Sequence, residues 1–334
     1  MTSHPHSHRT AASLMGLGVL IALAVGCVEP KATAPAIGAG VSDINKSAEF
    51  DPSRAYEHMR QLVGFGPRPP GSEGIKKAQA YIEKELKSYG LSLTSDSFIA
   101  KTTRGDVAMK NIFGVLQGEK PGIVMMAGHY DTKPQPGFVG ANDGGSSTAA
   151  VLEMARVLGK TKHEYTLWFA FFDGEEAFVD WSANNGMDNT YGSRHAVSRL
   201  AADGRLNSVK AMILVDMIGD RDLGLLRDGE STPWLVDIIW KTARRIGVGR
   251  HFLDYEGAYS DDHIPFKNAG VPVVDLIDFN YGPNNAYWHT NEDTLDKVSG
   301  ESLRIVGDVV IRSLPEVFSK LSSPETRRRP SKSE

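Results

Sequence analysis

A nine-residue run at 164–172, EYTLWFAFF, leads through Asp173 and Gly174 into two adjacent glutamates, Glu175 and Glu176. An apolar run of this length reads as a buried strand, and successive strand side chains point to opposite faces. Both glutamates can therefore serve one site only at the strand's end, where the bend at Gly174 re-aims them. One carboxylate can then hold a metal while its unligated neighbour moves protons. A solvated acidic turn would contain the same pair, but other metal-type residues at strand ends elsewhere in the chain weigh against that reading.

Further strand-like runs fall at 110–116, 122–127, 211–215 and 271–277, and helical runs at 147–158, 233–246 and 299–321. An amphipathic helix is expected over 72–91, where Ile75, Ala78, Tyr81, Ile82 and Leu86 recur at helical spacing and Gly90 supplies the stop. Strands that alternate with helices predict a single α/β domain, a three-layer α/β/α arrangement whose mixed central sheet is mostly parallel. In such sheets ligands bind beyond the carboxyl ends of the strands.

The formal net charge of -4, with basic residues scattered apart from Arg327–Arg329, supplies no basic field for nucleic acid. Near the N-terminus, Arg9 precedes an apolar stretch from Ala11 to Val25 that suits a secretory signal. The sole cysteine, Cys27, closes that stretch in LAVGC, so no intramolecular disulfide can form. The segment resembles a bacterial lipoprotein signal, with Ala24 where leucine is usual. The expected organisation is a signal over 1–27, a flexible tether over 28–48, a catalytic domain over 49–322 and a disordered tail over 323–334. An exported protein follows, facing the periplasm or the cell exterior and joined to a membrane only through a lipid at Cys27.

Candidate ligands sit at the predicted strand ends: His129 and Asp131 in AGHYDTKP, Asp143 in GANDGGSS, Glu176, Asp216 in ILVDMIG, and His289 in AYWHTNEDT. Each alone could be a cap, a turn residue or a satisfied core group. Together, carboxylates and imidazoles without thiolate describe a catalytic zinc site with an open position.

The order HYD, GAND, FFDGEE, VDMIG, SDDHIPF, WHTNEDT resembles the zinc aminopeptidase superfamily over roughly residues 50–321. Within it, FVGAND, FFDGEEAFVDW, YGSRH, DDHIPFKNAGVPV and WHT are most similar to the animal-type glutaminyl cyclases. That resemblance implies one zinc per chain on Asp143, Glu176 and His289, with Glu175 as proton shuttle. It also implies a hydrogen-bonded relay of Asp216 and Asp261 and a pocket lined by Trp181 and Trp288. The chain departs from the animal enzymes in lacking their paired cysteines, in GANDGGSS after the aspartate, and in NYGPNN before WHT.

The implied reaction closes an N-terminal glutamine of a peptide or protein on its own α-amine and expels ammonia. It needs a polarised carbonyl and a single carboxylate to move the proton. A two-zinc aminopeptidase is the alternative, because His129 and Asp216 could complete a second metal site bridged by Asp143. A binding module that has lost catalysis would tend to lose ligands, and this chain keeps them all.

Overall fold

A computed structural model describes residues 50–323. The signal segment with Cys27, the tether, and residues 324–334 of the tail lie outside these residues.

Phe50 leads into α1 (Pro52–Gly64), whose N-cap Asp51 accepts from the amides of Ser53 and Arg54, with proline at the first helical position. Helix α2 (Glu73–Ser88) is capped by Ser72 and ends two residues before Gly90, in the span its periodicity predicts. A hairpin of β1 (Ser92–Thr102) and β2 (Gly105–Leu116) follows, antiparallel along its whole length. After it come β3 (Lys120–His129), α3 (Gly145–Leu158) and β4 (Tyr165–Phe172). The single turn α4 (Ala183–Gly186) and helix α5 (Tyr191–Ala202) precede β5 (Val209–Asp216). The remaining elements are β6 (Leu225–Asp228), α6 (Pro233–Arg245), β7 (Phe252–Gly257), α7 (His263–Asn268), β8 (Val273–Ile277) and α8 (Gly300–Ser322).

The main sheet has the order β1-β2-β4-β3-β5-β8, and β4, β3, β5 and β8 run parallel. The expected mostly parallel mixed sheet is therefore present, with the antiparallel hairpin on one edge. Its two faces bury separate cores, and the period-2 alternation of the strands sorts the residues between them. In β4, Leu167, Phe169 and Phe171 pack on the side covered by α1, α2, α3, α6 and α8. Trp168, Ala170 and Phe172 pack on the opposite side, toward α5 and α7. Parallel pairing brings His129 opposite Phe172 and Asp216 opposite Ile277, so four strands deliver their carboxyl ends to one edge. β6 and β7 form a separate parallel pair.

Candidate metal centre

Strand ends place His129, Glu175, Glu176 and Asp216, and the loops after β3 and β8 bring in Asp143 and His289. β3 ends on His129, and Asp131 follows two residues later. Asp131 turns back, its two carboxylate oxygens accepting the amides of Glu175 (3.2 Å) and Glu176 (3.3 Å). Gly174 makes the bend between β4 and these glutamates, with φ +70° and the Met109 sulfur 2.6 Å from where a Cβ would stand. Only glycine adopts that conformation there without moving its neighbours. At the start of α3, Gly144 has φ +79°, and a Cβ on it would lie 2.5 Å from the carbonyl oxygen of Asp131 and 3.1 Å from the His129 ring. The loop carrying Asp143 thus rests directly against the loop carrying His129.

Asp143 lies between two groups of donors. Its Oδ2 is 3.3 Å from His289 Nε2, which is 3.2 Å from Glu176 Oε2. Its Oδ1 is 3.3 Å from His129 Nε2, which is 3.1 Å from Asp216 Oδ1. Zinc bonds of about 2.0–2.1 Å at a tetrahedral centre require ligand atoms about 3.3 Å apart, so both groups have the spacing of zinc ligands. Among the described residues, Asp143 Oδ2 and both Glu176 carboxylate oxygens are buried and make no well-formed hydrogen bond, although His289 lies against both carboxylates. Buried carboxylates this close together are costly unless a cation joins them. The residues therefore fit zinc.

Glu175 stands beside this set but outside it. Its Oε2 is 3.9 Å from His129 Nδ1, and 3.4 Å separates that nitrogen from Asp131 Oδ1. Burial raises the Glu175 carboxyl well above its ordinary range against the pull of His129, and Asp261, Glu176 and Asp262 raise it further. Burial also raises Asp261, helped by the negative charges of Asp216 and Asp262. It raises Asp216 as well, though the neighbouring His129 holds that shift down. Burial works against a charged His289, but Glu176 and Asp143 outweigh it and lift the imidazole to about 9. Asp143 shows the reverse balance: burial would raise it, yet the two imidazoles hold it well below the usual carboxylate range.

The predicted residues assemble with differences in detail. Asp216 Oδ1 faces His129 and accepts the Met217 amide, while Asp261 Oδ1 accepts the Asp262 amide and its Oδ2 has no partner. The two carboxylates influence one another through charge, and Asp216 is hydrogen-bonded to His129. Trp288 stacks on His289 at 4.0 Å and packs against Phe279 at 4.7 Å. Trp181 lies half-buried in the loop after β4, its carbonyl receiving the Asn189 side chain. Among the described residues no ring contact ties Trp181 to Trp288.

Several residues of the centre escaped the sequence reading. Arg68 is fully buried, and its guanidinium donates to the carbonyls of Leu62, Gly66, Tyr130, Val139 and Gly140. Nothing in GPRPP distinguishes it from a surface arginine. Asp293 receives the amides of Asn142 and Asp143, although in NEDT it reads as a turn residue. A third buried group places His263 between Asp228 (Nε2 to Oδ2, 3.4 Å) and Asp275 (Nδ1 to Oδ2, 3.6 Å). The carboxylates face opposite ring nitrogens without a well-formed hydrogen bond to either, and the three residues have donor atoms close enough to hold an ion.

Parallel strands ending in a paired carboxylate and imidazole centre are the architecture of the zinc exopeptidases, and residues 111–314 match the model of Peptidase family M28. The chain belongs to that family. Bovine (Bos taurus) glutaminyl-peptide cyclotransferase is 30% identical, over 73% of this chain and 77% of the bovine protein. The crystal structure of an Acidobacteriales bacterium glutaminyl cyclase superposes with a TM-score of 0.78 and 39% identity, covering 87% of this chain and all of that one. A Zn-dependent exopeptidase from Parabacteroides distasonis superposes at 0.71 with 26% identity, covering 80% of this chain and 99% of the other.

Proposed function

We propose that this chain is a zinc-dependent glutaminyl-peptide cyclotransferase, converting the N-terminal glutamine of peptides or proteins to pyroglutamate with release of ammonia. The observation that carries the reading is Glu175: a buried carboxyl beside the Asp143, Glu176 and His289 set, with no place in it and a raised pKa. Similarity to glutaminyl cyclases favours this reading over the aminopeptidase alternative.

Asp143, Glu176 and His289 would hold the zinc, which would polarise the substrate's side-chain carbonyl. The remaining chemistry falls to the chain's own groups. The α-amine nitrogen forms a bond to the side-chain carboxamide carbon, and the bond from that carbon to the carboxamide nitrogen breaks. Glu175 takes the proton the amine loses and returns it to the departing nitrogen, so no water is consumed. A carboxyl whose pKa burial raises, with Asp261, Glu176 and Asp262 raising it further, suits both transfers. Trp181 and Trp288 wall the pocket, folding the glutamine side chain toward its amine and excluding water.

We place one zinc per chain in this centre. In the second group of donors, against its burial, Asp216, Asp131 and Asp143 raise His129 well above its usual pKa. Export, cleavage before Cys27 and lipid attachment at that residue complete the proposal. Mass spectrometry of the mature N-terminus checks them: an unmodified residue 27 or cleavage elsewhere contradicts the anchor.

The deciding experiment offers the purified protein Gln-initiated and Leu-initiated peptides and measures ammonia, free amino acid and zinc content together. Pyroglutamyl product with ammonia is expected. Free leucine with no ammonia, and two zincs per chain, would establish the aminopeptidase alternative instead.

A further inference from the structure

Asp293 lies four residues beyond His289 and is fully buried. Its Oδ1 accepts the Asn142 amide and the Tyr281 hydroxyl, each at 2.8 Å, and its Oδ2 accepts the Asp143 amide at 3.1 Å. Its backbone carbonyl receives the preceding amide, Ala141, at 3.4 Å. Three consecutive N–H groups of the loop that presents Asp143 thus end on one residue of the loop that presents His289. On the other side of the same loop, the buried guanidinium of Arg68 takes the carbonyls of Val139 (2.7 Å) and Gly140 (3.0 Å). Five backbone groups of residues 139–143 are therefore held by one buried acid and one buried guanidinium, both drawn from other segments.

We infer that Asp293 is a positioning residue for the metal centre, setting the separation between Asp143 and His289. This inference rests on the reading that those two residues hold zinc. Two ligands from loops 146 residues apart in sequence (143 to 289) have no local reason to stay 3.3 Å apart. A carboxylate that is covalently part of one loop and bonded to the backbone of the other supplies that reason. Groups that orient ligands without touching the ion typically change metal affinity about 10- to 100-fold when removed. An asparagine in place of Asp293 keeps the shape but presents an N–H donor to one of the two amides, so one bond is lost and a repulsion replaces it.

The test compares zinc affinity by chelator competition, and the visible absorption of the cobalt(II)-loaded protein, in wild type, Asp293→Asn and Tyr281→Phe. Asp293→Asn is expected to weaken zinc by about 10- to 100-fold and to alter the cobalt spectrum. Tyr281→Phe removes a donor from the same carboxylate but leaves both amide bonds, and is expected to stay close to wild type. Unchanged zinc affinity in Asp293→Asn overturns the inference, as does an equal loss in Tyr281→Phe. If Asp293→Asn does not fold, hydrogen exchange on metal-free wild type decides: slow exchange at 141–143 supports the brace, and exchange as fast as in an exposed loop overturns it. A wild type that binds zinc but does not cyclise glutamine would refute the proposed reaction while leaving this inference standing.

Discussion

Glu175 and Glu176 are chemically alike and adjacent, yet their surroundings give them different work. Glu176 Oε2 lies 3.2 Å from His289, and Glu175 Oε2 lies on the His129 side at 3.9 Å. Glu175→Gln should leave zinc content unchanged and lower kcat by about 10²- to 10⁴-fold, the usual worth of a general acid and base. Glu176→Gln should lower zinc occupancy itself. Metal analysis and steady-state kinetics on both variants separate the roles, and equal metal loss in the two would end the division of labour. His289 adds a pH dependence. Its imidazole holds a proton up to about 9 without metal, and zinc needs it neutral. Zinc uptake should therefore release a proton at pH 7 and tighten as pH rises toward 9. Calorimetry in buffers of different ionisation enthalpy measures that release, and a release no smaller in His289→Ala would place His289 outside the ligand set.

At the scale of elements, the site depends on how α3 begins. Gly144 sits at φ +79° with the Asp131 carbonyl 2.5 Å from an added Cβ. Gly144→Ala should cost about 1–3 kcal/mol from backbone strain alone and displace Asp143 from its partners. Thermal melts should show the loss, and zinc affinity should fall with it. An alanine variant with wild-type stability and metal binding would mean the loop relaxes freely. Strand β4 was legible in full because every residue from Tyr165 to Phe172 is buried, making the run continuously apolar. Strand β1 was not, since SLTSDSFIAKT lies on the sheet edge with most of its side chains partly or fully exposed. Helix α7 spans only six residues, and Thr190, the N-cap of α5, has φ +45° and makes no side-chain cap bond, so neither offered a standard start signal.

Across the whole molecule, buried carboxylates tie stability to pH and to metal. Burial lifts Asp173 to about 8, and Asp262 and Asp293 to about 7. Above pH 4 the unfolded chain has released these protons while the folded chain keeps them, so the folded state binds more protons and stability falls as pH rises. The effect is full below about pH 4 and is lost through pH 7–8, by at most about 1.4 kcal/mol per unit for each group. Urea midpoints of the metal-free protein should therefore decline between pH 5 and pH 8. Zinc binds the folded state and neutralises the carboxylates of its set, so the loaded protein should decline less. Parallel curves for the two forms would show that the ion and the acids are not coupled.

The composition and order of motifs were enough to determine the α/β class, the mostly parallel sheet and the identities of the candidate ligands. Apolar periodicity reports burial directly, and strand ends are where such sheets place their chemistry. Only the tertiary structure decided which residues meet. Asp143 stands between two imidazoles, Asp216 turns to His129, and Asp293 and Arg68 share the backbone of the loop between them. Arg68 and Asp293 look like ordinary loop residues in sequence because their function is hydrogen bonding to backbone groups of segments far away along the chain. A backbone amide or carbonyl carries no signature in its side chain, so such a pairing becomes visible only when the fold brings the two segments together.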